Sequence, residues 1–146
     1  YINEGSVINN KNGTAIGNEG TLNIINGNIY AFCNNSIYNI GTLNIEGGSV
    51  ESDNYPGLYN SGKVYMTAGN ISSKVSNAIK NEKELEINSN SKIVSSGINY
   101  PTIYNLSSGT IKIESNFIEN MSGGYDIYND GGIANYNGQI SLNKNF

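Results

Sequence analysis

The chain has 146 residues, a net charge of −4 and no histidine, and all eight of its basic residues are Lys. An acidic chain without arginine has nothing to clamp phosphates bidentately or to read base edges, so nucleic acid is excluded as a partner. No stretch approaches the roughly 20 apolar residues of a membrane span, and a single cysteine cannot form an internal disulfide.

Taken in order, residues 1–13 hold Gly5-Ser6-Val7, a short β-branched run after a glycine. The first full unit follows as Ala15-Ile16-Gly17-Asn18-Glu19-Gly20-Thr21-Leu22-Asn23-Ile24. Its next copy is Ser36-Ile37-Tyr38-Asn39-Ile40-Gly41-Thr42-Leu43-Asn44-Ile45, and the third is Gly57-Leu58-Tyr59-Asn60-Ser61-Gly62-Lys63-Val64-Tyr65-Met66. Three more are Ala78-Ile79-Lys80-Asn81 with Glu84-Leu85-Glu86-Ile87, Thr102-Ile103-Tyr104-Asn105 with Thr110-Ile111-Lys112-Ile113, and Asp126-Ile127-Tyr128-Asn129 with Ile133. The asparagines fall at Asn18, Asn39, Asn60, Asn81, Asn105 and Asn129, in steps of 21, 21, 21, 24 and 24. A second column, Val7, Ile29, Val50, Ile71, Ile93, Ile118 and Ile140, steps by 22, 21, 21, 22, 25 and 22. Two columns keeping one period identify a solenoid or an array.

Within each unit apolar and polar residues alternate and β-branched residues fill the alternating sites, which is strand chemistry. Helical repeats need apolar residues three and four apart, and the intervening Gly, Asn and Ser oppose helix propagation. Each repeat therefore reads as a coil of three short strands of the form Ile-Tyr-Asn, Leu-x-Ile and Ile-x-Ser, stacked in parallel on its neighbours about 4.8 Å away. The fold class is all-β, a parallel β-helix of about six coils of 21–25 residues spanning 1–146 as one domain. The 37% hydrophobic content suits a thin solenoid with one inward column per strand, and 10% aromatic content argues against disorder.

The turns carry Asn12-Gly13, Asn26-Gly27, Gly47-Gly48 and Pro56-Gly57, which tolerate positive φ or preset a bend. The fourth repeat replaces the Tyr and Gly positions with charge in Lys80-Asn81-Glu82-Lys83-Glu84, and lengthened turns follow at 95–102 and 119–126 on one side of the rod. Extra loop length on one face is where solenoids usually place binding. Cys33, just after the Ile29 strand, is expected as a buried small hydrophobe. Residues 1–13 open partway through a coil, and Gln139-Ile140-Ser141-Leu142 closes the last one. Neither end carries a covering helix, so exposed ends are a route to homo-association.

The asparagine column is expected to turn inward as a structural ladder, each amide donating to the next. Tyr38, Tyr59, Tyr104 and Tyr128 follow an inward Ile or Leu, so alternation places them outside, with Lys80 in the same column. That face, with Tyr100 of the Tyr100-Pro101 turn, is the candidate ligand surface. The competing reading has the rings and Lys80 merely supporting the sheet. Cross-coil pairs Lys63 with Glu84 and Glu86 with Lys112 read as register devices. Catalysis on polysaccharide needs two carboxylates flanking a cleft, and only Glu46 with Glu51, or Asp126 with Asp130, offer local pairs; neither has a supporting residue. Asp126 and Asp130 beside paired glycines hint at a calcium turn, but the nonapeptide calcium repeat is absent. No catalytic residue, metal or cofactor is assigned.

The wording Ile-Tyr-Asn-x-Gly-Thr-Leu-x-Ile-x-Gly-Gly-x-Ile resembles the right-handed parallel β-helix of the pectate-lyase-like class, and more particularly the β-helical repeats of large surface proteins of low-GC Gram-positive bacteria. The resemblance covers nearly the whole chain. It implies a right-handed coil, an extracellular or cell-surface location, and a structural or adhesive rod meeting a cell-surface glycan or host protein. The alternative is a polysaccharide-binding or polysaccharide-cleaving β-helix. The missing initiator Met and signal pattern at Tyr1-Ile2-Asn3 are expected of a mature product or excised segment.

Overall fold

The computed structural model describes residues 1–114 and 117–136. The expected column residue Ile140, the strand around it and the tail to Phe146 lie outside the described residues. Among the described residues there are sixteen strands and no helix, numbered β1 to β16 in chain order. They stack as a β-solenoid of about six turns.

The first face is a six-stranded sheet of β2 (Ile16–Asn18), β5 (Ile37–Asn39), β8 (Leu58–Asn60), β10 (Ile79–Asn81), β12 (Ile103–Asn105) and β15 (Ile127–Asn129). Every neighbouring pair in it is parallel and in register, Asn on Asn and Ile or Leu on Ile. The second face holds β3 (Thr21–Ile24), β6 (Thr42–Ile45), β13 (Thr110–Ile113) and β16 (Ile133–Tyr136). The third holds β1 (Ser6–Asn9), β4 (Asn28–Ala31), β7 (Ser49–Ser52) and β14 (Phe117–Asn120). Ile2 bridges to Ile24 as a fragment of an earlier second face, so residues 1–13 do open partway through a coil.

One expectation needs correcting. In the third and fourth coils the second and third strands are not separate but run together as β9 (Lys63–Ser73) and β11 (Glu84–Ser95). The two pair along their length, with one irregularity between Ile87 and Asn90. In the second coil Gly48, at φ 78°, makes a left-handed bend between β6 and β7. Gly69 bends at the same place in the third coil, φ 99°, but there it pairs with Ser91 of the fourth, so the ladder is carried through the bend rather than broken by it.

The core is one inward apolar column from the first face, one from the third and two from the second, where Ile24, Ile45, Met66, Ile87 and Ile113 form the additional one. Ile37, Leu58, Ile79, Ile103 and Ile127 fill it from the first face, Leu43, Val64, Leu85 and Ile111 from the second, and Ile29, Val50, Ile71, Ile93 and Ile118 from the third, all essentially inaccessible to water. Cys33 is only half-buried, contrary to expectation, and unpaired. It lies in the turn beyond Ala31, where the chain has left the strand and Phe32 is already exposed.

At the corner between first and second faces the asparagines stack. The side-chain amide of Asn18 donates to Asn39 Oδ1 at 2.7 Å, Asn39 to Asn60 at 2.8 Å, Asn60 to Asn81 at 2.8 Å, Asn81 to Asn105 at 2.7 Å and Asn105 to Asn129 at 2.7 Å. The second amide proton reaches backbone: Asn39 Nδ2 donates to Lys63 O at 3.0 Å and Asn60 Nδ2 to Glu84 O at 2.9 Å. Asn39, Asn60, Asn81 and Asn105 are fully buried, so these bonds replace all lost hydration. In the second and third coils the corner leaves no room for a side chain two residues on, since a Cβ on Gly41 would collide with the Gly20 carbonyl and one on Gly62 with that of Gly41, whereas the fourth coil admits Lys83 there.

A second polar column closes the turn after the third face. Ser52 Oγ donates to Asn34 O at 2.9 Å, Ser73 Oγ to Tyr55 O at 2.8 Å, and Asn120 Nδ2 to Tyr100 O at 2.7 Å. Outside, Lys63 pairs with Glu84 at 3.0 Å and Lys112 with Glu86 at 3.0 Å, joining successive coils at the expected positions. Lys74 with Asp53, at 2.7 Å, adds a third such link.

Asn60→Ala strands the Asn39 amide on one side and the Asn81 carbonyl oxygen on the other. It should lower unfolding free energy by about 2–4 kcal/mol, from about 1–3 kcal/mol per buried group left unpaired. Asn129→Ala, at the half-exposed end of the ladder, should cost about 1 kcal/mol or less. Urea unfolding of the two variants measures the difference.

Candidate functional site

Outward residues of the first face stack as the inward ones do, because the same register serves both. Tyr38 is opposite Tyr59, Tyr59 opposite Lys80, Lys80 opposite Tyr104, and Tyr104 opposite Tyr128. Ring centroids are 5.4 Å apart for Tyr38 and Tyr59, and 5.7 Å for Tyr104 and Tyr128, tilted rather than face to face. Lys80 Nζ sits 5.0 Å from the Tyr59 centroid, a cation over the ring's negative face. The first coil has Gly17 in this column, so the aromatic stack begins at Tyr38.

Loops entering the first face build a wall beside this stack. A cavity of about 440 Å³ is lined by Lys80, Tyr104 and Tyr128 from the sheet and by Asn77, Asn99, Tyr100, Pro101 and Tyr125 from the loops. A second, of about 350 Å³, shares Asn77, Lys80 and Tyr100 and extends to Tyr59, Tyr55, Pro56, Asn34 and Asn35. Together they form one groove running across successive coils. Hydrogen bonds fix its wall: the Asn77 amide donates to Pro101 O at 2.6 Å, and the Thr102 N–H to Tyr125 O at 3.0 Å. Ser122 Oγ donates to Ser96 O at 2.7 Å, holding the 119–126 protrusion against the 95–102 one.

Of the candidate ligand residues, Tyr59, Lys80, Tyr100, Tyr104 and Tyr128 meet along this groove. Tyr38 packs on Tyr59 but lines neither cavity. Sequence reasoning missed Tyr55, Tyr125, Asn77 and Asn99. A signal was present: Tyr55 and Tyr100 each stand three residues before the first-face Leu58 and Ile103, and Tyr125 two before Ile127.

Two carboxylates orient the rings. The Tyr59 hydroxyl donates to Glu82 Oε1, and Ser61 Oγ donates to Glu82 Oε2 at 2.6 Å. Tyr104 OH donates to Asp130 Oδ2 at 3.0 Å. Burial, then the bond to Glu82, pushes the Tyr59 phenol up to about 12. The bonds from Ser61 and Tyr59 hold the Glu82 carboxyl below its usual range. Hydrogen bonding to Asp130 raises Tyr104. Both phenols are thereby kept neutral, with fixed ring orientation.

The other acids do not converge on the groove. Asp126 is fully buried and accepts the Asn120 N–H at 2.7 Å, whereas Asp130 is exposed on the outer side. Glu46 and Glu51 are both exposed and away from the groove lining. Among the described residues no group of three or more Cys, Asp or Glu could hold a metal ion.

No family model, curated protein or solved structure matches this chain. The site therefore rests on its own geometry.

The Tyr59–Glu82 pair has a defined pH signature. The raised phenol contributes stability that is complete below its ordinary 10 and lost as pH rises toward about 12. The depressed carboxyl contributes stability that is complete above its ordinary 4.5 and lost as pH falls below it. Glu82→Gln should remove this acid limb and bring the Tyr59 phenolate transition, followed by ultraviolet absorbance, part of the way back toward 10, burial sustaining the remainder.

Proposed function

We propose that this chain is a length of an extracellular β-helical rod belonging to a bacterial surface protein, structural and adhesive in role, with the tyrosine groove as its adhesive face. The observation that carries the reading is the groove itself. A structural rod requires only inward ladders and outward solubility, yet here three loops bring Tyr55, Tyr100 and Tyr125 beside the stack of Tyr59, Tyr104 and Tyr128. Rings presented edge to edge, with fixed phenols and flanking amides, suit a sugar's apolar face and its ring of hydroxyls. The cell-surface partner is accordingly a glycan, ahead of a host protein.

The location follows the repeat wording discussed above, and the adhesive rather than catalytic role follows the carboxylates. Glu82 and Asp130 are engaged in holding tyrosines, and Asp126 is enclosed in the turn. End-to-end association is part of the proposal. It would proceed by strands added in the same parallel register at the ends of the solenoid.

The alternative, a polysaccharide-binding module, uses the same groove, and a single experiment addresses both. The protein should bind saturably to members of an array of cell-surface glycans. Tyr59→Ala combined with Tyr104→Ala should weaken that binding about ten- to a hundredfold, from about 0.5–1.5 kcal/mol per ring contact, with the far-UV spectrum unchanged. Binding that survives both substitutions would show that the groove is not the adhesive face.

A further inference from the structure

Among the groove's lining residues Lys80 is the sole charge. Asn77, Asn99, Pro101 and the tyrosines around it are neutral, and no carboxylate lines either cavity. Lys63, Lys74 and Lys112 each form an ion pair within 3.0 Å, and Lys92, which rests over the Phe117 ring, lines neither cavity. Lys80 forms no ion pair among the described residues; its ammonium rests over the Tyr59 ring. Glu82 is near enough to feel its charge, but both Glu82 oxygens already accept hydroxyl protons from Tyr59 and Ser61.

Resting on the glycan reading above, we propose that the groove takes a carboxylate-bearing glycan, with Lys80 reading the carboxylate and the tyrosines stacking the sugars on either side. Charge complementarity selects this occupant. A cationic ligand, which an aromatic groove would otherwise accept, meets an unpaired ammonium. A dense polyanion such as a sulfated or phosphate-rich chain needs several cations, and the groove has one, in a protein of net charge −4. One lysine with uncharged rings to both sides fits a strand in which an acidic sugar alternates with neutral ones. Asn99, exposed at the wall, offers both a donor and an acceptor to the neutral units. The tyrosines supply affinity common to all glycans of this shape, and Lys80 supplies the preference.

The test compares a tetrasaccharide of alternating uronic acid and N-acetylhexosamine with its carboxyl-reduced, neutral counterpart, by calorimetry at low salt. The acidic form should bind about fivefold more tightly, the scale of a partly exposed ion pair, and the advantage should fade as salt is raised. Lys80→Met, which keeps the packing on Tyr59, should equalise the two ligands, and Lys80→Arg should restore the preference. Equal affinities in the unaltered protein, or a preference that survives Lys80→Met, would overturn the assignment of Lys80 while leaving the glycan groove standing. Failure of both ligands to bind would overturn the assignment and the glycan reading together.

Discussion

Everything in this molecule depends on one constraint: the first-face strands of each coil must lie on those of the next with zero slip, so that each of their residues sits over its equivalent. The asparagine ladder imposes it. A buried amide has two donors and an acceptor to satisfy, and in the corner of a parallel coil the partners available are the same amide one coil away and the backbone of the next face. A slip of one residue would leave those groups unpaired along the whole rod and turn the apolar column outward. Gly41 and Gly62 strengthen the constraint in the second and third coils, since the backbone passes too close there to admit a Cβ.

The outer surface inherits its order from this buried one. Tyr59, Lys80, Tyr104 and Tyr128 are aligned because Asn60, Asn81, Asn105 and Asn129 beside them are. The second polar column does the same for the loops, tying Tyr55 through Ser73 and Tyr100 through Asn120. A groove assembled this way is rigid without being deep. Its rings are held from below by the sheet, from the side by Glu82 and Asp130, and along the axis by one another. Little ordering is left to oppose binding of the extended ligand proposed for it.

Much of the fold was legible because the ladder forces identical residues to recur at one period. The Asn column in the sequence is the first sheet and the column from Val7 to Ile118 is the third face, residue for residue, and the Lys63–Glu84 and Glu86–Lys112 links followed from the same spacing. The fusion of strands in β9 and β11 was not legible, since Gly69 bends the backbone as Gly48 does and the ladder continues through it only by pairing with Ser91 of the next coil, which no residue type announces. Cys33 was misplaced because proximity to a buried strand does not carry into the turn beyond it. The sheet side of the groove followed from alternation, which sends Tyr outward wherever Ile goes inward. Its loop side did not: Tyr55, Tyr125, Asn77 and Asn99 occupy turns of unequal length, where neither a period of two nor the coil period says which way a side chain points.

The most direct test of this account is exchange of the asparagine side-chain amides with solvent deuterium, followed residue by residue by NMR. If the ladder is the constraint on which the rod depends, the Nδ2 protons of Asn39, Asn60, Asn81 and Asn105 exchange as slowly as the core backbone amides of the first face, and Asn129 faster. Exchange of all five at the rate of exposed amides, with the backbone still protected, would mean that the coils keep their register without the ladder.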